Sequence, residues 1–185
     1  MGKYPDYTVE ELTAEIPVAD YIAGYRDADK FIRFCRECPS YGASWGCPPF
    51  EFDADSELRR YESAVIYATK IVPARPLLLS EVQDFIRPER LKIERRLLER
   101  ELETGGRAFA YVGRCLWCGD KPCARLKKLP CRHPDKVRPS LEAFGFDIAL
   151  TLGRLFGLEL RWGHNGCAPD YLVLVSALFK KNSAL

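Results

Sequence analysis

The residues Ala64-Val65-Ile66-Tyr67-Ala68-Thr69-Lys70-Ile71-Val72 form an apolar, β-branched run that predicts the first clear strand. Ala108-Phe109-Ala110-Tyr111-Val112 repeats the pattern in a shorter form. Leu158–Trp162 and Tyr171–Phe179 read as two closing strands around a turn region containing Gly163, Asn165 and Gly166. Helical signals stand between them. Thr8-Val9-Glu10-Glu11 has the form of a capping box, in which Thr8 and Glu11 each satisfy an orphan backbone donor, and it predicts a first helix. A second helical stretch covers 27–34 and runs into Cys35. Ser80 caps a third, expected to break or restart at Pro88 and to run as a charged segment to about Glu103. Leu91, Leu97, Leu98 and Leu102 supply its apolar stripe, its charges read as a solvated face, and Gly105-Gly106 stops it. Pro139-Ser140-Leu141-Glu142 opens a last helix through about Phe156, with Gly145 as a weak point.

Two stretches carry no period. Residues 35–55 and 113–138 are rich in Pro, Gly and Cys and read as ordered loops. The order is then β-α-β, loop, α-β-β, and two helices must cover one small sheet. That predicts an α+β fold: a small mixed sheet covered by helices in a two-layer α/β sandwich, with two cysteine-rich metal-binding loops in a single domain over 1–185.

Composition changes the picture at the cysteines. Of 185 residues, 47% are apolar, enough for a core without covalent staples, yet the chain holds eight cysteines. Disulfide frameworks belong to short secreted chains that lack such a core. The start, MGKYPDYTVEEL, has no apolar signal region, and no run of about 18 apolar residues suggests a membrane span. The expected setting is the cytoplasm, away from membranes, where thiols stay reduced and metal is the leading reason to keep eight of them.

The strongest motif is Cys115-x2-Cys118-x4-Cys123-x7-Cys131, four thiolates in one turn-rich loop that can close on one centre. Cys118-Gly119 looks like a zinc-knuckle turn, but a zinc ribbon normally repeats the knuckle and here Cys123 and Cys131 stand far apart. The uneven run is closer to loops that hold a [4Fe–4S] cluster, with zinc as the alternative metal. The second motif is Cys35-x2-Cys38-Pro39 followed by Trp45-Gly46-Cys47-Pro48-Pro49, and Cys-Pro steps recur in ferredoxin-type loops. Three cysteines make an incomplete set. Either Cys167 completes a second four-thiolate centre, or the site keeps an open iron where chemistry can occur. His164 is a spare candidate ligand.

Net charge is only +2, but Arg114, Lys121, Arg125, Lys127, Lys128, Arg132, Lys136 and Arg138 face only Asp120 and Asp135 between 113 and 138. Such cations stabilise an anionic cluster and suit an acidic docking surface on a redox protein partner. Nucleic acid is a rival for a basic loop containing Trp117, but the patch is short and no RNA-binding signature surrounds it. Trp45 and Trp117 would keep water from the metal, or simply pack.

The run Cys35-Arg36-Glu37-Cys38-Pro39-Ser40-Tyr41-Gly42-Ala43-Ser44-Trp45-Gly46-Cys47-Pro48-Pro49, with Cys115 to Cys123, Cys131-Arg132-His133-Pro134 and Arg138 to Gly145, resembles domain-of-unknown-function family 2284, the predicted metal-binding proteins. Leu141 stands where Met is expected. The resemblance implies metal binding and a prokaryotic cytosolic setting, and no reaction. The sequence therefore points to one or two clusters acting in electron transfer or as a redox accessory to an anaerobic enzyme. An enzyme with an open-iron site at the first loop and a zinc-stabilised interaction module are the alternatives.

Overall fold

The computed structural model describes residues 7–110 and 115–181. Strand β2 (Ser63–Pro73) lies at the centre, paired along its length with β1 (Tyr7–Pro17) on one side and with β4 (Leu172–Lys180) on the other. The short strand β3 (Arg107–Phe109) pairs with the end of β4, so the order is β1-β2-β4-β3. Alternation sends Ala64, Ile66 and Ala68 of β2 to one face and Tyr67 and Ile71 to the other. Val175, Ala177 and Phe179 of β4 join the first face, and Leu174 and Leu178 the second.

The α+β expectation holds, with two differences of detail. Every pairing is antiparallel rather than mixed. Helices also cover both faces rather than one, because β2 and β4 are apolar on both sides and each face needs a cover. Residues of α1 (Val18–Tyr25), α3 (Ala54–Leu58) and α5 (Ile148–Phe156) pack on the first face. Helix α4 (Val82–Thr104) packs on the second. An aromatic cluster centres the first core: Tyr21 stacks on Phe146 at 4.3 Å, and Phe109 lies 4.6 Å from Phe179 and 5.0 Å from Phe144. Such pairs add about 1 kcal/mol each beyond the area they bury.

Several local expectations are corrected. Thr8–Glu11 opens no helix and belongs to edge strand β1. Leu12, Ala14 and Ile16 are half-buried while Thr13 and Glu15 are exposed, a period of two. The acids pair across space: Glu10 with Lys70 at 3.5 Å, Glu11 with Arg96 at 2.5 Å and Glu15 with Lys180 at 2.7 Å. Pro88 does not interrupt α4, which packs through it with Phe85, Ile86, Ile93 and Leu97 buried. Its apolar stripe is rotated from the expected one, with Leu102 84% exposed and Glu89, Arg90 and Glu94 buried. No strand forms at Leu158–Trp162: Leu158 and Leu160 pack on the first core without a ladder, and Trp162 is exposed. The expected end of the second strand, Tyr111 and Val112, lies outside the described residues.

Gly145 splits the expected helix at 139–156. A 3₁₀ turn at Glu142–Phe144 precedes it, and α5 restarts where the Asp147 carboxylate accepts from the Leu150 amide at 2.9 Å. The split matters for the site. Arg26 Nε donates to the Phe144 carbonyl at 2.6 Å, Asp27 N to the Gly145 carbonyl at 2.8 Å, and Asp147 N to the Tyr25 carbonyl at 2.8 Å. These bonds strap residues 142–147 to the start of α2 (Ala28–Glu37), which carries Cys35. Gly145 has φ +90°, and a Cβ there would lie 2.7 Å from Ala28 Cα. Gly145→Ala is therefore expected to cost at least ~2 kcal/mol, read as a lowered urea midpoint. An unchanged midpoint would contradict the strap.

Candidate metal centre

Helix α2 begins at Asp27, whose carboxylate accepts from the Lys30 amide at 2.9 Å, and ends just short of Cys38. Tight turns then fold the chain back: Cys38 N donates to the Cys35 carbonyl at 3.0 Å, Tyr41 N to Cys38 at 3.0 Å, Gly42 N to Pro48 at 2.8 Å and Cys47 N to Ser44 at 3.1 Å. They bring Cys47 to Cys35 and Cys38, and the three line one cavity of about 570 Å³ with Gln83, Ser140 and Glu142. Cys35 and Cys47 are half-buried, and Cys38 is exposed.

The second loop closes in the same manner. Gly119, at φ +58°, follows Cys118 and donates its amide to the Leu116 carbonyl at 3.1 Å. Cys123 leads into a 3₁₀ turn at Ala124–Lys127. The Trp117 backbone amide donates to the Cys115 sulfur, and the His133 amide to the Cys131 sulfur at 3.4 Å. Arg132 Nη1 lies 3.6 Å from the Cys118 sulfur. Cys115, Cys118, Cys123 and Cys131 all line a second cavity of about 320 Å³. At the loop's end Arg138 forks onto Glu101 of α4 at 2.5–2.9 Å, both side chains nearly buried.

The two loops are built into each other. Arg125 of the second donates to the Ser44 carbonyl at 2.7 Å, to that of Cys47 at 2.6 Å and to that of Pro49 in the first. Its guanidinium also stacks 5.0 Å over the Trp45 ring, whose Nε1 donates to the Leu129 carbonyl at 3.0 Å. Trp117 lies under Lys136 at 5.1 Å, and both tryptophans line the smaller cavity. Ser40 lines both cavities.

Cys167 is not among the residues lining the cavity of the other three. It is exposed and held in its own turn by reciprocal 2.9 Å bonds with His164, while Leu79 N donates to Gly166 at 2.9 Å and Ala168 N to Leu77 at 2.8 Å. His164 is exposed too. All eight cysteines are free thiols. Among the described residues no group of three or more His, Cys, Asp or Glu side chains converges closely enough to hold a single metal ion. Arg114, expected among the cations, lies outside the described residues. No helix among them is long and apolar enough to cross a membrane.

A family model for a predicted metal-binding protein (DUF2284) matches residues 22–179. The chain belongs to this family. Neither a curated protein nor a solved structure matches it. All eight cysteines of this DUF2284 chain fall inside the matched residues.

The donor set fits a thiophilic metal group. Burial pushes the thiols of Cys47 and Cys115 up to about 11, and raises that of Cys35, with neighbouring cysteines adding to each. Thiolates there need a bound cation, which would displace the protons. Amide donors to two of the sulfurs and the Arg132 guanidinium are the groups that stabilise metal-bound thiolate.

Two acids at these sites have no role in the sequence reading. Glu142 lines the larger cavity, and burial raises its carboxyl above the ordinary range while a hydrogen bond with Ser140 opposes the shift. It is the only acid between Arg138 and Asp147, which is the signal that could have marked it. Glu94 of α4 is 3% exposed, its oxygens lack hydrogen-bond partners among the described residues, and its charge is felt at Cys115. Burial lifts the Glu94 carboxyl from 4.5 to about 7, with Arg90 pulling the other way. The folded protein therefore holds this proton more tightly than the unfolded chain. Stability should fall as pH rises from 4.5 through 7 and level off above, by about 3 kcal/mol in all. Urea midpoints across that range are expected to show the fall in the wild type and not in Glu94→Gln. Parallel pH profiles would contradict the assignment.

Proposed function

We propose that the chain is a cytoplasmic iron–sulfur protein with two neighbouring centres that relay electrons. One is a [4Fe–4S] cluster on Cys115, Cys118, Cys123 and Cys131, and the other sits at Cys35, Cys38 and Cys47. The observation that carries this reading is the pair of cysteine-lined cavities with Ser40 in the wall of both. Four thiols spread around a cavity suit a cubane, which takes each thiolate on its own iron. A single zinc needs all four donors at one atom.

Bound there, the clusters would supply one-electron chemistry. The protein's own groups do the rest: amides and Arg132 favour the reduced, more negative form, and Trp45 and Trp117 limit water at the walls. Lys121, Lys127, Lys128 and Arg132 are exposed around the second loop and suit docking of a redox partner through an acidic surface.

A second reading draws on the larger cavity. At about 570 Å³ with three cysteines, it has the size of a small-molecule site, and an exchangeable iron there would make the protein an enzyme.

The experiment is purification without oxygen, followed by iron, sulfide and zinc analysis. Brown protein with broad absorbance near about 400 nm and equal iron and sulfide is expected. Colourless protein with stoichiometric zinc would overturn the proposal.

A further inference from the structure

We propose that the Glu142 carboxylate is the fourth protein ligand of the centre at Cys35, Cys38 and Cys47, an assignment that rests on the iron–sulfur reading of that loop. Glu142 lines the cavity with all three thiols, on a 3₁₀ turn that packs against α2, the helix that carries Cys35. Other acids nearby already have cations: Asp147 pairs with Lys30 at 3.2 Å, Asp55 with Arg26 at 2.5 Å and Glu101 with Arg138 at 2.5 Å. Among the described residues no lysine, arginine or histidine forms an ion pair with Glu142, whose hydrogen-bonding side-chain neighbour is the Ser140 hydroxyl. A half-buried carboxylate beside three thiols lacks a counter-charge, and a metal supplies one.

The backbone under Glu142 is fixed. Its 3₁₀ turn is capped where Ala143 N donates to Ser140 Oγ at 3.2 Å, and Arg26 and Asp27 hold the next two carbonyls. Cys167, the thiol that could have completed the set, is exposed and tied into its own turn. A carboxylate oxygen on one iron differs from three thiolates in hardness, so that iron becomes the exchangeable corner of the centre. Binding needs only that the carboxyl give up its proton to solvent; no electrons move.

Mössbauer and EPR spectra of anaerobically loaded, iron-enriched full-length protein test this. The wild type should show one iron site with an oxygen-ligand signature at one of two clusters. Glu142→Gln should lose that signature and release iron from this centre to a chelator roughly tenfold faster. Glu142→Cys should convert the site to an all-thiolate pattern, which a merely structural role would not produce. Cys167→Ala should leave every spectrum unchanged. Circular dichroism checks that each variant keeps its sheet, and Glu142→Cys decides the matter should Glu142→Gln misfold. Unchanged spectra in both Glu142 variants, or a changed spectrum in Cys167→Ala, would overturn the ligand assignment. Wild-type iron and sulfide for one cluster alone would overturn it differently, by removing the centre, and metal counting separates the two failures.

Discussion

The guanidinium of Arg125 lies among three carbonyls of a loop more than seventy residues away in sequence, with the Trp45 ring against its face. Residues 38–52 form neither helix nor strand, and their backbone bonds are local turns such as Gly42 N to Pro48 O, which fold the loop without attaching it to its neighbours. A charged donor to a carbonyl contributes about 1.5–3 kcal/mol. Three such bonds orient the Ser44–Pro49 segment and hence the Cys47 thiol. Because Arg125 follows Cys123 by two residues, the same contact fixes one cysteine loop against the other. Together with the bond from Trp45 Nε1 to the Leu129 carbonyl, it joins the two loops.

The sheet and its helices provide the frame. Cys35 sits in the last turn of α2, and the 142–147 segment is strapped to the first turn of that helix. Arg138 and Glu101 fasten the end of the second loop to α4. Each loop is thus tied to a covered face of the sheet, while its thiols stay at the surface or half-buried. This arrangement is what the proposed redox centres would require, rigid donors close to the surface. Glu94 and Glu142 are acids whose surroundings work against their charge, one acting on Cys115 and the other lining the cavity of Cys35, Cys38 and Cys47.

Much of this was legible in the sequence. β2 and β4 followed from β-branched apolar runs, α2 from residues 27–34, and the two loops from their cysteine spacing. The misreadings share a cause, in that local signals were outweighed by distant partners. The Thr8–Glu11 box is a strand because it pairs along β2, from Thr8 opposite Val72 to Glu11 opposite Thr69, and its acids meet Lys70 and Arg96 across space. The buried face of α4 escaped notice because Arg90 and Glu94 lie on it. Pro88 reads as a breaker, yet packing on the second core carries the helix through it. The trio of cysteines was recognised, but its acidic neighbour was not, since Glu142 lies over ninety residues from Cys47 and is brought there by the tertiary bonds of residues 142–147 to the start of α2.

The central claim is that two metal groups occupy two adjoining cavities. Anomalous diffraction at the iron absorption edge, from crystals grown without oxygen, tests it most directly. Two iron peaks are expected, one enclosed by Cys115, Cys118, Cys123 and Cys131 and the other by Cys35, Cys38 and Cys47, with Ser40 between them. A single peak, or a signal at the zinc edge alone, would contradict the account.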